Sequence, residues 1–318
     1  MFNVIIIGGG MAAFSAAIYA ARRGLSILVL AKDIGGQANS TDLIENYPGV
    51  SETGGYNLVN SVRAQAINFG AQVEMAEVEK IKSAAGSFIV YAYGKQYKGS
   101  AVILAFGKTP RDLDVPGEQE FKGKGVSYCA TCDAPFYKGK SVAVVGVGDL
   151  SIEAALLCGK FAKKVYVLSK TDKLIGHTSL VKALLRRKNV QIVPFVRIEE
   201  IKGRQSVEEL KLLDLKTNKR MSLPIAGIFV ELGYVVKSDF VKDLVKLDES
   251  GQIMIGPDQA TSRRGVFAAG DATNRPYKQA VISAGEGAAA ALAAFDYLMR
   301  QKSGEGLTSD WTEIKKIK

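Results

Sequence analysis

The chain predicts an α/β fold of two Rossmann-like three-layer domains, one inserted into the other, and three observations predict it. Short runs of valine, isoleucine and leucine recur along its 318 residues, bounded by glycine. Helical stretches alternate with those runs, as they do when strands of a largely parallel sheet are buried on both faces. And the segment VIIIGGGMAAFSAAIYAARRG near the start is echoed about 138 residues later by VAVVGVGDLSIEAALLCGKFA.

Taken in order, Val4 to Ile7 is the first strand, since four consecutive apolar residues leave no solvated face. It runs into Gly8, Gly10 and Ala13, a GxGxx turn followed by a small residue. In such a unit the glycines permit a tight turn and close backbone approach, and the following helix aims its N-terminus at a pyrophosphate. Ala12 to Arg23 supplies that helix, and Ile27 to Leu30 and Val102 to Ala105 read as further strands. The second copy repeats the order: strand Val142 to Val145, turn Gly146, Gly148 and Ser151, helix Ser151 to Phe161, strand Val165 to Leu168. Ile228 to Val230 is a later strand and Ala280 to Arg300 a long helix. Between the copies PRDLDVPG gathers proline, glycine and aspartate, so Asp112 to Gly117 reads as a linker, with a return crossing near Lys237 to Val245. The expected domains are 1–113 with 244–318, and 114–243.

Composition narrows the function classes. Hydrophobic residues at 47% against 23% charged exclude a disordered chain. Three cysteines are too few for an extracellular disulfide framework, MFNVIIIGGG reads as a strand and not as a signal peptide, and no apolar stretch reaches the roughly 18 residues of a membrane span. The expectation is a cytoplasmic protein that meets no membrane. The net charge of +10 is scattered in pairs and triplets such as Lys163/Lys164 and Arg186/Arg187/Lys188, a solvated surface rather than a nucleic-acid site. Residues 114–243 are the basic part, with 22 Lys and Arg against 15 Asp and Glu.

Chemistry concentrates at CATCD, Cys129 to Asp133. Two cysteines separated by two residues can close a small ring and exchange electrons with another dithiol. A zinc site would need two further ligands, and Cys158 and His177 are the only other Cys or His, so no metal is expected. Asp133 follows the second cysteine and can pass a proton to the departing thiol, or else cap a turn. His177 lies in the polar IGHTS and reads as a surface residue; Cys158, among Ala154, Leu156 and Leu157, reads as a core thiol.

GGGMAAFSAAIYAARRG, GGQ at Gly35 to Gln37, ENYPG at Glu45 to Gly49, CATCD, GVFAAGD at Gly265 to Asp271 and RPYKQAVISAGEGAAAA from Arg275 together resemble the low-molecular-weight thioredoxin reductase family. The resemblance runs in order over almost the whole chain. It implies a FAD domain interrupted by a pyridine-nucleotide domain bearing the redox cysteines, a homodimer, and thioredoxin or a similar small redox protein as partner. Position by position it places the pyrophosphate at Gly8, Gly10 and Ala13 and flavin or ribityl contacts at Gly36, Gln37, Asn46 and Asp271. Lys278, Gln279 and Ala280 would close the site, and the backbone of Val78 would hold the adenine. Asp271 can accept from ribityl hydroxyls, and the helix from Ala280 would aim its N-terminus at a developing flavin anion, unless its glycines and alanines serve close packing alone. By the same resemblance Cys132 would face the flavin, Cys129 would attack the substrate, Asp133 would shuttle the proton, and the two domains would rotate about a linker.

The chain also departs from that family. Met11 and Ala13 stand where proline and glycine are usual, and Ala31 stands where many FAD folds place an acid. After Val165 to Leu168, relatives that use NADPH carry HRRxxxR, whose arginines hold the 2′-phosphate; here the run is SKTDKLI, with Thr171 and Ile175 in place of two arginines. Charge-assisted hydrogen bonds contribute about 1.5 to 3 kcal/mol each, so this loss costs roughly 3 to 6 kcal/mol, a factor of about 10² to 10⁴ in affinity. NADH fares no better, because Ser169, 23 residues after Gly146, is neutral where an NAD site wants Asp or Glu. A one-electron donor such as reduced ferredoxin is therefore the leading expectation. Plant-type ferredoxins lie near −400 mV and thioredoxin near −270 mV, so the transfer is downhill by about 6 kcal/mol for two electrons. The alternatives are an NADPH-dependent reductase with atypical phosphate contacts, a flavin-dependent dithiol oxidase and a non-enzymatic flavin-binding scaffold. Trp311 and Lys315 to Lys318 read as a loosely packed tail.

Overall fold

The computed structural model describes residues 1–40 and 43–304, so the tail with Trp311 and Lys315 to Lys318 lies outside the described residues. The chain forms two compact units, Met1–Thr109 with Val236–Lys318, and Pro110–Val235.

In the discontinuous unit the strands Phe2–Ile7, Ile27–Ala31 and Gln72–Met75 run parallel, with Phe2–Ile7 flanked on its other side by Lys95–Leu104. Val4 and Ile6 face one core while Ile5 and Ile7 face the other, all of them buried. A strand covered on both faces has no polar alternation, which is why this stretch reads as a continuous apolar run. One face is covered by helices Met11–Arg22, Gly55–Asn68 and Ala280–Ser303.

The sheet is not parallel throughout. Val78–Ala84, Ser87–Ala92 and Lys95–Leu104 form an antiparallel meander. Its second turn is Tyr93 and Gly94, at φ 47° and 72°, the left-handed pair that a two-residue hairpin requires. Lys95–Leu104 serves both arrangements: its first half pairs antiparallel with Ser87–Ala92, and its second half pairs parallel with Phe2–Ile7 and with Val266–Ala268. Only the apolar second half stands out in the sequence.

Pro110–Val235 carries a five-stranded parallel sheet in the order Val190–Val193, Lys164–Leu168, Ser141–Val145, Gly227–Val230, Val126–Ser127. Helices Asp149–Phe161 and Thr178–Leu185 cover one face. The other packs on a three-stranded antiparallel sheet, Val196–Gly203, Val207–Asp214 and Arg220–Pro224, through Ile198, Ile201, Leu210 and Leu212. Those three strands carry charged residues on their outer face and so show no continuous apolar run.

The unit borders fall at 109/110 and 235/236, where the sequence placed them at 113/114 and 243/244. The reasons are local. Asp112 to Gly117 is no loose linker: the buried Glu118 carboxylate accepts from Leu113 N at 2.7 Å and Asp114 N at 2.8 Å, and Pro116 O accepts from Ile201 N at 2.9 Å. Beyond Val235, Val241 and Val245 are buried in the core of the discontinuous unit.

Among the described residues one helix, Ala280–Ser303, is long and apolar enough by length and composition to cross a membrane, where the sequence predicted none. Alanine and glycine supply its apolar character. Gly287, Ala290, Ala291 and Ala294 are buried, and an added Cβ at Gly287 would lie 2.1 Å from Ala12 O, so this face of the helix is pressed on its neighbour.

Candidate functional site

The first glycine loop is shaped by two different demands. Gly8 has φ +132°, and a Cβ there would lie 2.1 Å from Ala105 O, so only glycine fits between the strands. Gly10 has open space where a Cβ would project. It precedes a helix with no side-chain cap and no acid in its first turn, the kind of N-terminus that suits an anion. Ala13 is fully buried and lets the helix sit close to the sheet.

Residues far apart in sequence converge near this loop. Gln37 Nε2 donates to Asp271 Oδ2 at 2.8 Å, Ser283 Oγ lies 3.3 Å from Asp271 Oδ1, and Asn46 Nδ2 donates to Gln279 Oε1 at 3.3 Å. Gly36 adopts φ +54° and donates its N–H to Asp33 at 3.2 Å. Lys278 Nζ donates to Thr273 O at 2.7 Å, and burial lowers its pKa. Ala280 begins the long helix, again without a side-chain cap. Val78 stands apart from these bonds: it opens the antiparallel strand Val78–Ala84, opposite Ala92. Glu286, which lies within RPYKQAVISAGEGAAAA but has no role legible in the sequence, accepts from Gly270 N at 2.7 Å and is held above its ordinary carboxyl range by burial. A glycine loop with open space beyond Gly10, two helix N-termini without side-chain caps and a carboxylate ringed by amide and hydroxyl groups are a set of donors and acceptors that could hold a flavin dinucleotide.

In the continuous unit, strand Val126–Ser127 leads into the redox turn. Cys129 and Cys132 form a disulfide across the single helical turn Ala130–Asp133. Cys132 N lies 3.2 Å from Cys129 Sγ and donates to it. An N–H aimed at this sulfur favours a thiolate there. Cys132 is exposed, Cys129 and Asp133 are half-buried, and Asp133 makes no side-chain cap to the following turn. Its charge pushes up the pKa of Tyr137, second to burial. Phe136, four residues past Cys132 on the short helix Ala134–Tyr137, is 74% exposed, an apolar ring that composition gave no reason to select. Cys158 is buried, which pushes its thiol up to about 12, and it does not pair with either redox cysteine.

The second glycine loop borders a cavity of about 910 Å³ at the carboxyl ends of the parallel strands. Thr171, at one of the positions where relatives would place a phosphate-binding arginine, is satisfied by Ser169, whose Oγ donates to Thr171 O at 2.7 Å and accepts from Thr171 N at 3.0 Å. Lys170 and Arg197 line the wall, the latter 3.4 Å from Glu199, which Arg220 also bonds at 2.8 Å. Like the first loop, where Gly35 N donates to Gly9 O at 2.8 Å, this one is braced by chain from further on. Ile175 N donates to Val147 O at 2.6 Å, and His177 N donates to Asp149 Oδ1 at 2.7 Å, with the His177 ring exposed.

Residues 2–287 match the pyridine nucleotide-disulphide oxidoreductase family. The chain is 38% identical over 300 residues to an NADH dehydrogenase of Bacillus subtilis, across 94% of this chain and 59% of that one. It is 35% identical over 299 residues to the thioredoxin reductase of Treponema pallidum, across 93% and 97%. Among solved structures, thioredoxin reductase from Lactococcus lactis matches with a TM-score of 0.79 at 30% identity, covering 94% of this chain and 100% of that one. A ferredoxin-flavin thioredoxin reductase from Clostridium acetobutylicum matches at 0.50 and 31%, covering 92% and 96%. Against the Bacillus subtilis protein, and against an alkyl hydroperoxide reductase polypeptide of Pseudomonas putida, the chain spans under three-fifths of their length, 59% and 58%.

Proposed function

The chain belongs to the pyridine nucleotide-disulphide oxidoreductase family, in its thioredoxin reductase branch, and from that premise we propose that it is a flavoprotein disulfide reductase acting on thioredoxin or a similar small redox protein. The observation that carries the reading is the Cys129–Cys132 disulfide, held on an exposed turn of a nucleotide-type unit. FAD, held by Gly8, Gly10, Gln37 and Asp271, would supply the electron pair. With two electrons and two protons the Cys129–Cys132 bond breaks to two thiols. Cys129, favoured as thiolate by the Cys132 N–H, attacks the substrate disulfide and forms a mixed disulfide. Cys132 then displaces the substrate as a dithiol and re-forms the internal bond. Asp133, half-buried, next to Cys132 in the chain and making no side-chain cap, moves the proton.

For the donor we propose reduced ferredoxin or another carrier other than NADPH. The self-satisfied Ser169–Thr171 turn and the apolar Ile175 support this, since neither offers a charge to a 2′-phosphate. The resemblance to the ferredoxin-flavin enzyme and the basic middle of the chain point the same way. One observation favours a second reading, reduction by a pyridine nucleotide: the 910 Å³ cavity keeps Lys170 and Arg197 on its wall. Anaerobic stopped-flow with NADPH, NADH and reduced ferredoxin separates the two. Ferredoxin is expected to bleach the flavin band within turnover time and micromolar NADPH to leave it unchanged; fast bleaching by NADPH overturns the proposed donor.

A further inference from the structure

Glu231 is a charged residue that nothing in the scheme above uses. It follows the buried strand Gly227–Val230, and its N–H extends the ladder to Val145 O at 2.9 Å. That strand runs parallel to Val126–Ser127 with Phe229 opposite Ser127, so two residues further on Glu231 comes level with Cys129. The redox turn is fastened to the same strand at several points. Tyr137 stacks edge-on against Phe229 at 5.4 Å, and a Cβ at Gly227 would strike the Tyr137 ring at 2.3 Å. The N–H of Ala130, between the two cysteines, is near enough to the Glu231 carboxylate to oppose the effect of its burial. On its other side Glu231 lines the 910 Å³ cavity, with its carbonyl packed where a Cβ on Gly146 would lie at 2.4 Å. A half-buried carboxylate thus stands at the sheet's topological switch point, between Ser141–Val145 and Gly227–Val230, directly behind the dithiol.

We propose that Glu231 is a positioning residue of the redox centre, whose charge, applied through the Ala130 peptide, sets the acidity of the Cys129 and Cys132 thiols. A carboxylate close to a thiol disfavours the thiolate, and its protonation removes that penalty. The groups that face Glu231 are Glu153 and Cys158 on helix Asp149–Phe161; Asp149, Lys170, Arg197 and Glu199 share the cavity wall. Burial, opposed by the Ala130 N–H and reinforced by Glu153, pushes the Glu231 carboxyl up to about 7, inside the working range of a thiol couple. Cys158 adds no signal of its own, since its buried thiol is withdrawn from reagents.

The inference rests on the Cys129–Cys132 pair being the redox couple, and its test reads the thiols themselves and not turnover. The full-length reduced protein, with its flavin, is alkylated with iodoacetamide between pH 5 and 9, and modification at Cys129 and Cys132 is followed by mass spectrometry. In Glu231→Gln, which keeps an oxygen for the Ala130 N–H, the midpoint is expected to fall by about one pH unit, so that alkylation at pH 7 is roughly five- to tenfold faster. Glu120→Gln, an exposed acid on the same unit, is expected to leave it unchanged. A midpoint in Glu231→Gln equal to that of the wild type overturns the proposal. Should that variant not fold, the wild-type profile decides: two inflections, one near 7, support the role, and a single thiol inflection overturns it. A shifted midpoint in a protein without disulfide-reductase turnover would instead sink the reductase reading and leave Glu231 its role.

Discussion

At the scale of single residues the disulfide and its neighbours carry the chemistry. Cys132→Ser leaves Cys129 without its partner, so disulfide-reducing turnover is expected to fall at least about a thousandfold while dithionite still bleaches the flavin. Undiminished turnover would contradict the relay. Glu231 also makes a stability prediction. Its folded carboxyl is raised by burial from 4.5 to about 7. The fold therefore holds this proton more tightly than the unfolded chain does. The resulting stabilisation is fully present below about pH 4.5 and is lost as pH rises through about 7. Glu231→Gln, which has no charge to bury, is expected to melt higher than the wild type at pH 8, by about 1 to 3 kcal/mol, with the difference vanishing near pH 4.5. Thermal melts at the two pH values check the sign. The pair Thr171→Arg with Ile175→Arg restores two guanidinium groups beside the second glycine loop. It is expected to tighten NADPH binding by roughly 10² or more in a fluorescence titration. CATCD, Gln37 and Asp271 could be singled out in the sequence because their motifs are local; Glu231 and Phe136 could not, because an isolated acid or ring has no period, and Glu286, though inside a motif, shows its partner Gly270 only in the fold.

Among the elements, the two glycine loops share a pattern and a brace: Gly35 N donates to Gly9 O at 2.8 Å, and Ile175 N to Val147 O at 2.6 Å. The second gains one further contact, from His177 N to Asp149 Oδ1 at 2.7 Å. None of this is visible in GGGMAA and GVGDLS, since the bracing chain comes from 26 to 28 residues further on. The long helix Ala280–Ser303 makes a paired prediction. Gly287→Ala drives a Cβ into the Ala12 backbone at 2.1 Å, and backbone cannot step aside as a side chain does. It is expected to cost about 1 to 3 kcal/mol, read as a lower temperature of flavin release. Gly285, on the same helix with nothing within 4 Å, is expected to gain up to about 1 kcal/mol as Gly285→Ala, because helix propensity alone is at stake. Equal effects at the two positions would mean that the helix does not press on its neighbour as described.

For the molecule as a whole, one unit is continuous in sequence and the other is not. Pro110–Val235 has its own parallel sheet and its own buried clusters. Expressed alone it is expected to melt cooperatively and to form the Cys129–Cys132 disulfide without binding flavin, as circular dichroism and visible absorbance would record. The order of residues was enough to specify two nucleotide-type units, the place of their first strands, loops and helices, and the cysteines of the couple, because apolar runs and glycine turns are encoded by neighbours along the chain. Folding in three dimensions was needed to settle the antiparallel meander, the placing of Asp112 to Gly117 inside the continuous unit, the meeting of Gln37 with Asp271 across 234 positions and the place of Glu231 behind the dithiol. Each of these depends on which strand pairs with which over long separations, and that choice is made by the burial of whole faces and not by any local pattern.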